Sequence, residues 1–291
     1  MRRELGYFPH KLDMSFDDII IATLPELQRK IEKLQKSEYR DGDWILAPGR
    51  RRVFAMPKTH EIGAGSGSNM QRIEFMVWCL GFLVGMRLTT AEAGFLDATP
   101  CRQGCLVDFV CTPGDLTRAL THCNRFYADR SGGKAPGLVV SVIHALFVSG
   151  SPHLLCYERL QYLYTALDAC WKASMDLKQL KKQSHGERIE AMCQAWQIAP
   201  PAWALYDKST NNCQLSELRN AMIHEGLVGS EPLGFRIIQG FDGTPHPLGN
   251  PLLEVEHLVS RLLVSIMGIP ASSYIGTPMD TRSILALEVT A

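Results

Sequence analysis

Leu218, Arg219, Asn220, Ala221, Met222, Ile223 and His224, followed by Glu225 and Gly226, close a helix, and their reading decides the fold of the second half of the chain. Leu215, Leu218 and Met222 recur at helical spacing and form an apolar stripe. Gly226 fits the left-handed position after a helix end, with Leu227 folding back on Met222. The helix is expected to run from about Asn212 to Glu225. Asn220 and His224 are four apart and share a face. Arg219 lies five residues before His224, roughly 140° away at 3.6 residues per turn, and reaches that face only if its long stem swings round. The final turn places His224 near the negative end of the helix dipole, which favours the imidazolium and raises its pKa.

Helical patterns flank this stretch. Cys156, Leu160, Leu163, Leu167 and Cys170 share a face, with Glu158, Gln161, Thr165 and Lys172 elsewhere, which predicts a long amphipathic helix. Ile189, Met192, Cys193 and Trp196 mark a second, stopped by Pro200 and Pro201. Asn250 and Pro251 supply a cap and a first-turn proline for a fourth. Its face is Val255, Leu258, Val259, Leu262, Leu263 and Ile266, ending at Gly268. Four helices with short to medium connections predict an antiparallel bundle over residues 151–291.

Residues 1–150 read as a separate mixed α+β region, with the boundary in Ser149, Gly150, Ser151 and Pro152. Thr23 to Glu26 has the form of a capping box before a charged helix reaching about Tyr39. Trp44 to Leu46 and Arg52 to Met56 flank Pro48-Gly49 and predict a short hairpin. Gly63 to Ser68 reads as a flexible loop before an apolar helix over 70–88. Cys105 to Cys111 reads as a strand, and Thr112, Pro113, Gly114 and Asp115 open a helix. Leu138 to Val148 is apolar and β-branched, and its periodicity leaves helix and strand open. The expected fold class is therefore mainly α, with a mixed α+β N-terminal region and a C-terminal four-helix bundle.

The chain has 291 residues, 46% hydrophobic and 21% charged, which suits a globular protein with a substantial core. Lys plus Arg and Asp plus Glu are both 30, so a broad nucleic-acid-coating surface is excluded and any such contact is local. Nine cysteines, several inside apolar helical patterns, suit reduced buried thiols in a cytoplasmic setting. The N-terminus lacks a signal-peptide core. The longest apolar run, Phe75 to Met86, is too short to cross a membrane.

The chemistry available on the third helix is specific. A guanidinium grips a phosphate through paired hydrogen bonds and stabilises charge that builds on it. An imidazole takes a proton from a ribose 2′-OH or gives one to a leaving oxygen. Asn220 can orient either group. Such a set could cut RNA, which carries its own nucleophile, and would not cut DNA this way. The same three residue types also serve commonly as helix caps and surface groups.

Arg219 and Asn220 followed by His224, on the third helix of a four-helix unit, resemble the R-x(4–6)-H motif of HEPN domains. Tyr157, Leu160, Tyr164 and Asp168 on the first helix, and the Met267, Gly268, Ile269, Pro270 ending of the last, are also HEPN-like. The resemblance covers about residues 152–276. It implies a metal-independent endoribonuclease of defence or toxin systems, with Arg219, Asn220 and His224 catalytic and no cofactor or metal. It further implies RNA as substrate and a homodimer whose two motifs face one groove, with an antitoxin, activator or defence partner. The layout resembles that of abortive-infection HEPN proteins of the ApeA type. Toxins of this family controlled by tyrosine AMPylation carry a tyrosine two residues after the histidine; here that position is Gly226. The alternative is a non-catalytic HEPN module that dimerises or docks a partner, coupled to an N-terminal sensor.

Other features carry less. The Gly63 to Gly67 loop lacks a P-loop ending. Cys101, Cys105, Cys111, His122 and Cys123 do not have zinc-ribbon or zinc-finger spacing. Arg50, Arg51, Arg52 and Lys178, Lys181, Lys182 read as solvated faces that could also guide an RNA backbone. Asp97 and Asp108 are not visibly paired.

Overall fold

The computed structural model describes residues 1–37, 39–40, 43–44, 57–65, 67–91, 106–151, 154–225, 251–279 and 284–290. The chain is mainly helical, with a small antiparallel sheet at its N-terminal end. Contacts divide it into two compact units. The first comprises Met1–Pro136, Gly150–His153 and Ile284–Ala291, and the second Gly137–Ser149 and Leu154–Ser283. The boundary expected at 150 thus falls where the chain re-enters the first unit for four residues, and the last strand also belongs to that unit.

In the first unit, β1 (Arg2–Leu5), β2 (Met14–Phe16), β3 (Ile19–Thr23) and β6 (His60–Ala64) form a sheet in the order β1-β6-β3-β2. All neighbours are antiparallel, with Ile21 opposite both Met14 and Ile62. Alternation assigns the faces: Ile19 and Ile21 are buried while Ile20 between them is exposed. Between β3 and β6 the chain forms α1 (Leu27–Ser37) and the short pair β4 (Tyr39–Arg40) and β5 (Asp43–Trp44).

The capping box expected at Thr23 does not form. Thr23 ends β3 opposite His60, its amide donates to Asp13 Oδ1 and its hydroxyl accepts from the Leu12 amide. Its side chain is spent on the hairpin, so the helix starts only at Leu27. Gly63 and Ala64 likewise belong to β6 rather than to a loop. The hairpin expected over 44–56 lies, beyond Trp44, outside the described residues.

α2 (Met70–Leu83) is capped by Asn69, whose side chain accepts from the Arg72 amide at 2.8 Å. It is buried almost all round and packs on α3 (Pro113–Arg130), with Phe75 against Phe126 and Tyr127. α3 starts as expected, with Thr112 as cap and Pro113 in the first turn. The strand expected over 105–111 reduces, among the described residues, to β7 (Phe109–Val110). β7 pairs in parallel with β8 (Leu285–Ala286).

The second unit holds α4 (Ala135–Ser149, from Gly137 onward), α5 (Cys156–Lys178), α6 (His185–Ala195), α7 (Gln214–Asn220), α8 (Pro251–Ile266) and α9 (Ser272–Gly276). Burial of Val139, Val142, Ile143 and Leu146 at three- and four-residue spacing explains why 138–148 is helix. α5 packs along α8, α6 packs against α5 and α7, and α9 against α8. The interior faces are the expected ones except at Cys156, which is half-buried: Leu160, Leu163, Leu167 and Cys170 on α5, and Val255, Leu258, Val259, Leu262, Leu263 and Ile266 on α8. Each such Leu contributes roughly 1.5–3 kcal/mol through burial.

No helix among the described residues is long and apolar enough to cross a membrane.

Candidate functional site

α7 is docked by Leu215, Ser216 and Leu218, all buried, with Met222 beyond its end. From Ala221 to Glu225 the helix continues as a wide π turn rather than as an α-helix. Such turns bond residue i to i+5 and are frequent at functional positions. The widening matters for Arg219 and His224. On a regular α-helix the five-residue separation splays them around the axis. A π turn advances less per residue, so position 224 comes closer to lying above position 219. The His224 side chain, Gly226 and Leu227 lie outside what the structure describes.

Arg219 and Asn220 are both half-buried. Arg219 Nη1 donates to Asn220 Oδ1 at 3.0 Å, and its guanidinium carbon stands 5.7 Å from the centre of the Tyr164 ring. A cation at that distance is attracted by the ring face. The two neighbours therefore act as one preset group, with the amide and ring restricting where the guanidinium can go.

Tyr164 connects this pair to three further polar residues. It is four residues before Asp168, so the two share a face of α5. The first turn of α6 brings His185 and Arg188 to the same place. Tyr164 Oη lies 3.4 Å from His185 Nδ1, and Asp168 Oδ1 lies 4.0 Å from that nitrogen. Arg188 Nη1 donates to Asp168 Oδ1 at 3.2 Å and stands 3.2 and 3.3 Å from the two ring nitrogens of His185. Its Nε donates to the Gln183 carbonyl at 3.2 Å. Burial pushes the Tyr164 hydroxyl up to about 12, with Asp168 and Cys213 adding to the rise and Ser216 and Arg219 opposing it. Tyr164 is thus a neutral hydroxyl at any physiological pH.

The start of α6 is set by sequence. Ser184 and Glu187 form a capping box, with the Ser184 amide and hydroxyl both donating to Glu187 Oε2 at 3.0 and 2.7 Å. Those bonds lower the Glu187 carboxyl from its ordinary value. The motif identifies His185 and Arg188 as first-turn residues. It was legible in the sequence, whereas their meeting with Tyr164 depends on how α6 packs against α5. Tyr164 and Asp168 belong to the HEPN-like pattern of the first helix, whereas His185 and Arg188 fall in no motif singled out from the sequence.

The remaining candidates gather less. Lys178, Lys181 and Lys182 are exposed, with Lys178 Nζ 4.2 Å from the Trp196 ring. Arg50, Arg51, Arg52, Asp97, Cys101 and Cys105 lie outside the described residues. Cys111 and Cys123 are reduced cysteines, and among the described residues no three His, Cys, Asp or Glu side chains gather as metal ligands would. A cavity of 410 Å³ in the first unit is lined by Arg2, Asp18, Ile20 and Glu61 among others. Both its carboxylates are engaged, Glu61 by Arg2 at 3.1 Å and Asp18 by Arg72 at 2.5 Å. None of its lining residues belongs to the helical unit.

No protein-family model matches the chain, and neither a curated protein nor a solved structure matches it.

Proposed function

We propose that this chain is a HEPN-type endoribonuclease, with α5, α6, α7 and α8 as its four-helix unit and Arg219, Asn220 and His224 as its catalytic residues. The observation that carries this reading is the preset pair on α7. Arg219 is held by Asn220 and the Tyr164 ring, immediately before a π turn that contains His224. Arg219 holds the scissile phosphate, His224 moves a proton, and Asn220 fixes the guanidinium. The 2′-oxygen attacks phosphorus as the bond to O5′ breaks, leaving a 2′,3′-cyclic phosphate and a 5′-hydroxyl. Two copies of the chain form the working dimer. A role in anti-phage defence or as a toxin fits such an activity, in which the N-terminal unit senses the trigger or restrains the nuclease.

The test is cleavage of a single-stranded oligoribonucleotide in EDTA by the full chain. Cyclic phosphate ends are expected, and one 2′-deoxy residue at the cut site blocks the cut. His224→Ala is expected to lose at least about 100-fold in rate. Equal cutting by that variant would remove His224 from the site.

A second reading rests on the same contacts. An arginine half-buried on a tyrosine ring and bonded to its neighbour also serves plain packing, as in a non-catalytic dimerisation module. Dimerisation and RNA binding by the wild-type chain without cleavage would decide for it.

A further inference from the structure

We propose that His185 is a second proton-transfer group of the RNA-cleaving surface, supplied by the same chain as Arg219; this rests on the ribonuclease reading above. Cleavage by 2′-oxygen attack needs two proton transfers, one from the 2′-OH and one to O5′. The motif on α7 contains a single imidazole. A second lies on α6, and Tyr164 ties it to Arg219: its ring carries the Arg219 guanidinium at 5.7 Å and its hydroxyl stands 3.4 Å from His185 Nδ1.

The surroundings of His185 suit a base. Its side chain is 36% exposed, so a substrate can reach it, unlike the buried rings of His60 and His257. The groups facing it include Tyr164 and Asp168 from α5 and Arg188 on its own helix. Burial keeps Tyr164 a neutral hydroxyl, whose oxygen can accept the Nδ1 proton, while Arg188 Nη1, 3.3 Å from Nε2, shifts to the substrate phosphate as Nε2 engages the 2′-OH. Arg188 beside the ring opposes a second positive charge there before reaction. Once a proton has moved, the Asp168 carboxylate 4.0 Å away stabilises the imidazolium. In the step itself, Nε2 takes the 2′-OH proton as the O2′–P bond forms. The P–O5′ bond breaks and O5′ takes its proton from His224.

The experiment is the pH–rate profile of full-length wild-type, His185→Ala and His185→Gln chains on the same oligoribonucleotide, with RNA affinity and melting temperature measured alongside. Wild type is expected to give a bell. Either variant is expected to lose about 100-fold or more in kcat and the acid-side limb of the bell. RNA affinity should change little, and added imidazole should partly restore the alanine variant. A second arm mixes Arg219→Ala and His185→Ala chains. No recovery is expected, because every site then has one defect; recovery would show the two groups to come from different copies and overturn the same-chain assignment. A rate loss with both limbs intact and no imidazole rescue would mark a structural role and overturn the proposal. So would a His185→Ala chain as fast as wild type, which leaves the ribonuclease reading standing. A wild-type chain that cuts no RNA would take down both.

Discussion

His60 and Tyr164 show how burial sets the charge of single residues in opposite ways. His60 in β6 is fully buried, with Nδ1 3.0 Å from the Thr59 hydroxyl and its ring edge-on to Phe8. Desolvation lowers it to about 4, against weaker opposition from the His10 backbone and Asp13. The unfolded chain takes up the His60 proton near pH 6.5 and the folded chain only near 4. Stability from this residue is therefore complete above pH 6.5 and falls as pH drops from 6.5 to 4, by roughly 3 kcal/mol in all. Urea melts of wild type and His60→Gln across that window should show the wild type losing more. Parallel curves would mean that His60 titrates normally. For Tyr164 the protonated form is the neutral one, so burial moves its titration far above neutrality and preserves a hydroxyl between Arg219 and His185.

At the scale of the helix, two glycines predict opposite outcomes for the same substitution. Gly186 sits in the first turn of α6, where an added Cβ would come within 2.7 Å of the Asn212 Cα and 3.1 Å of its carbonyl carbon. Backbone cannot step aside cheaply, so Gly186→Ala is expected to cost about 1–3 kcal/mol and to loosen α6 from the segment that leads into α7. Gly137 in α4 is exposed, with nothing within 4 Å of an added Cβ. Gly137→Ala is expected to stabilise by about 0.5–1 kcal/mol, because only chain entropy changes. Denaturant midpoints of the two variants decide it; the same sign for both would defeat the packing argument. The helices themselves were legible because their signals are local: Thr112 with Pro113 for α3, and the apolar faces of α5 and α8. Two kinds of feature were not. Thr23 to Glu26 has the letters of a capping box, but Thr23 is claimed by its hairpin through the Leu12 amide and Asp13. The π turn after Asn220 has no mark in the sequence. Arg219 and Asn220 could be picked out from their spacing, yet the residues around them depend on helix packing that spacing does not encode.

For the molecule as a whole, the path of the chain decides what each unit needs in order to stand. The first unit is not finished by residue 136, because its contacts take in the last residues, 284–291. β8 pairs with β7, and beyond it Asp115 and Arg118 of α3 grip the tail. The Val289 amide donates to Asp115 Oδ1 at 3.0 Å, Arg118 Nε donates to the Val289 carbonyl at 2.8 Å, and Arg118 Nη2 closes the ring on Asp115 Oδ1 at 2.7 Å. The Thr112 hydroxyl, the Val289 amide and Arg118 hold the Asp115 carboxyl below its ordinary value, in that order of weight. The same carboxylate thus accepts from the hydroxyl of Thr112, which caps α3, and anchors the far end of the chain. A fragment that stops near residue 150 lacks both the tail and β8, so a loss of activity or solubility in it would report a broken first unit rather than a missing function. Asp115→Asn isolates the clasp in the full chain. Asparagine keeps an acceptor for Val289 but gives up the charge on Arg118 and the Thr112 hydroxyl. It is expected to cost about 1.5–3 kcal/mol at neutral pH, the range for hydrogen bonds to a charged group. The folded carboxylate holds its proton more weakly than the unfolded one. The wild-type advantage is therefore full above the ordinary aspartate value near 3.8 and shrinks as pH falls through the lower folded value. Amide exchange along α3 and the tail, with urea midpoints at pH 7 and pH 3, should show the two chains far apart at the first pH and closer at the second. Equal stability and equal exchange at pH 7 would mean that the tail is held by β8 alone.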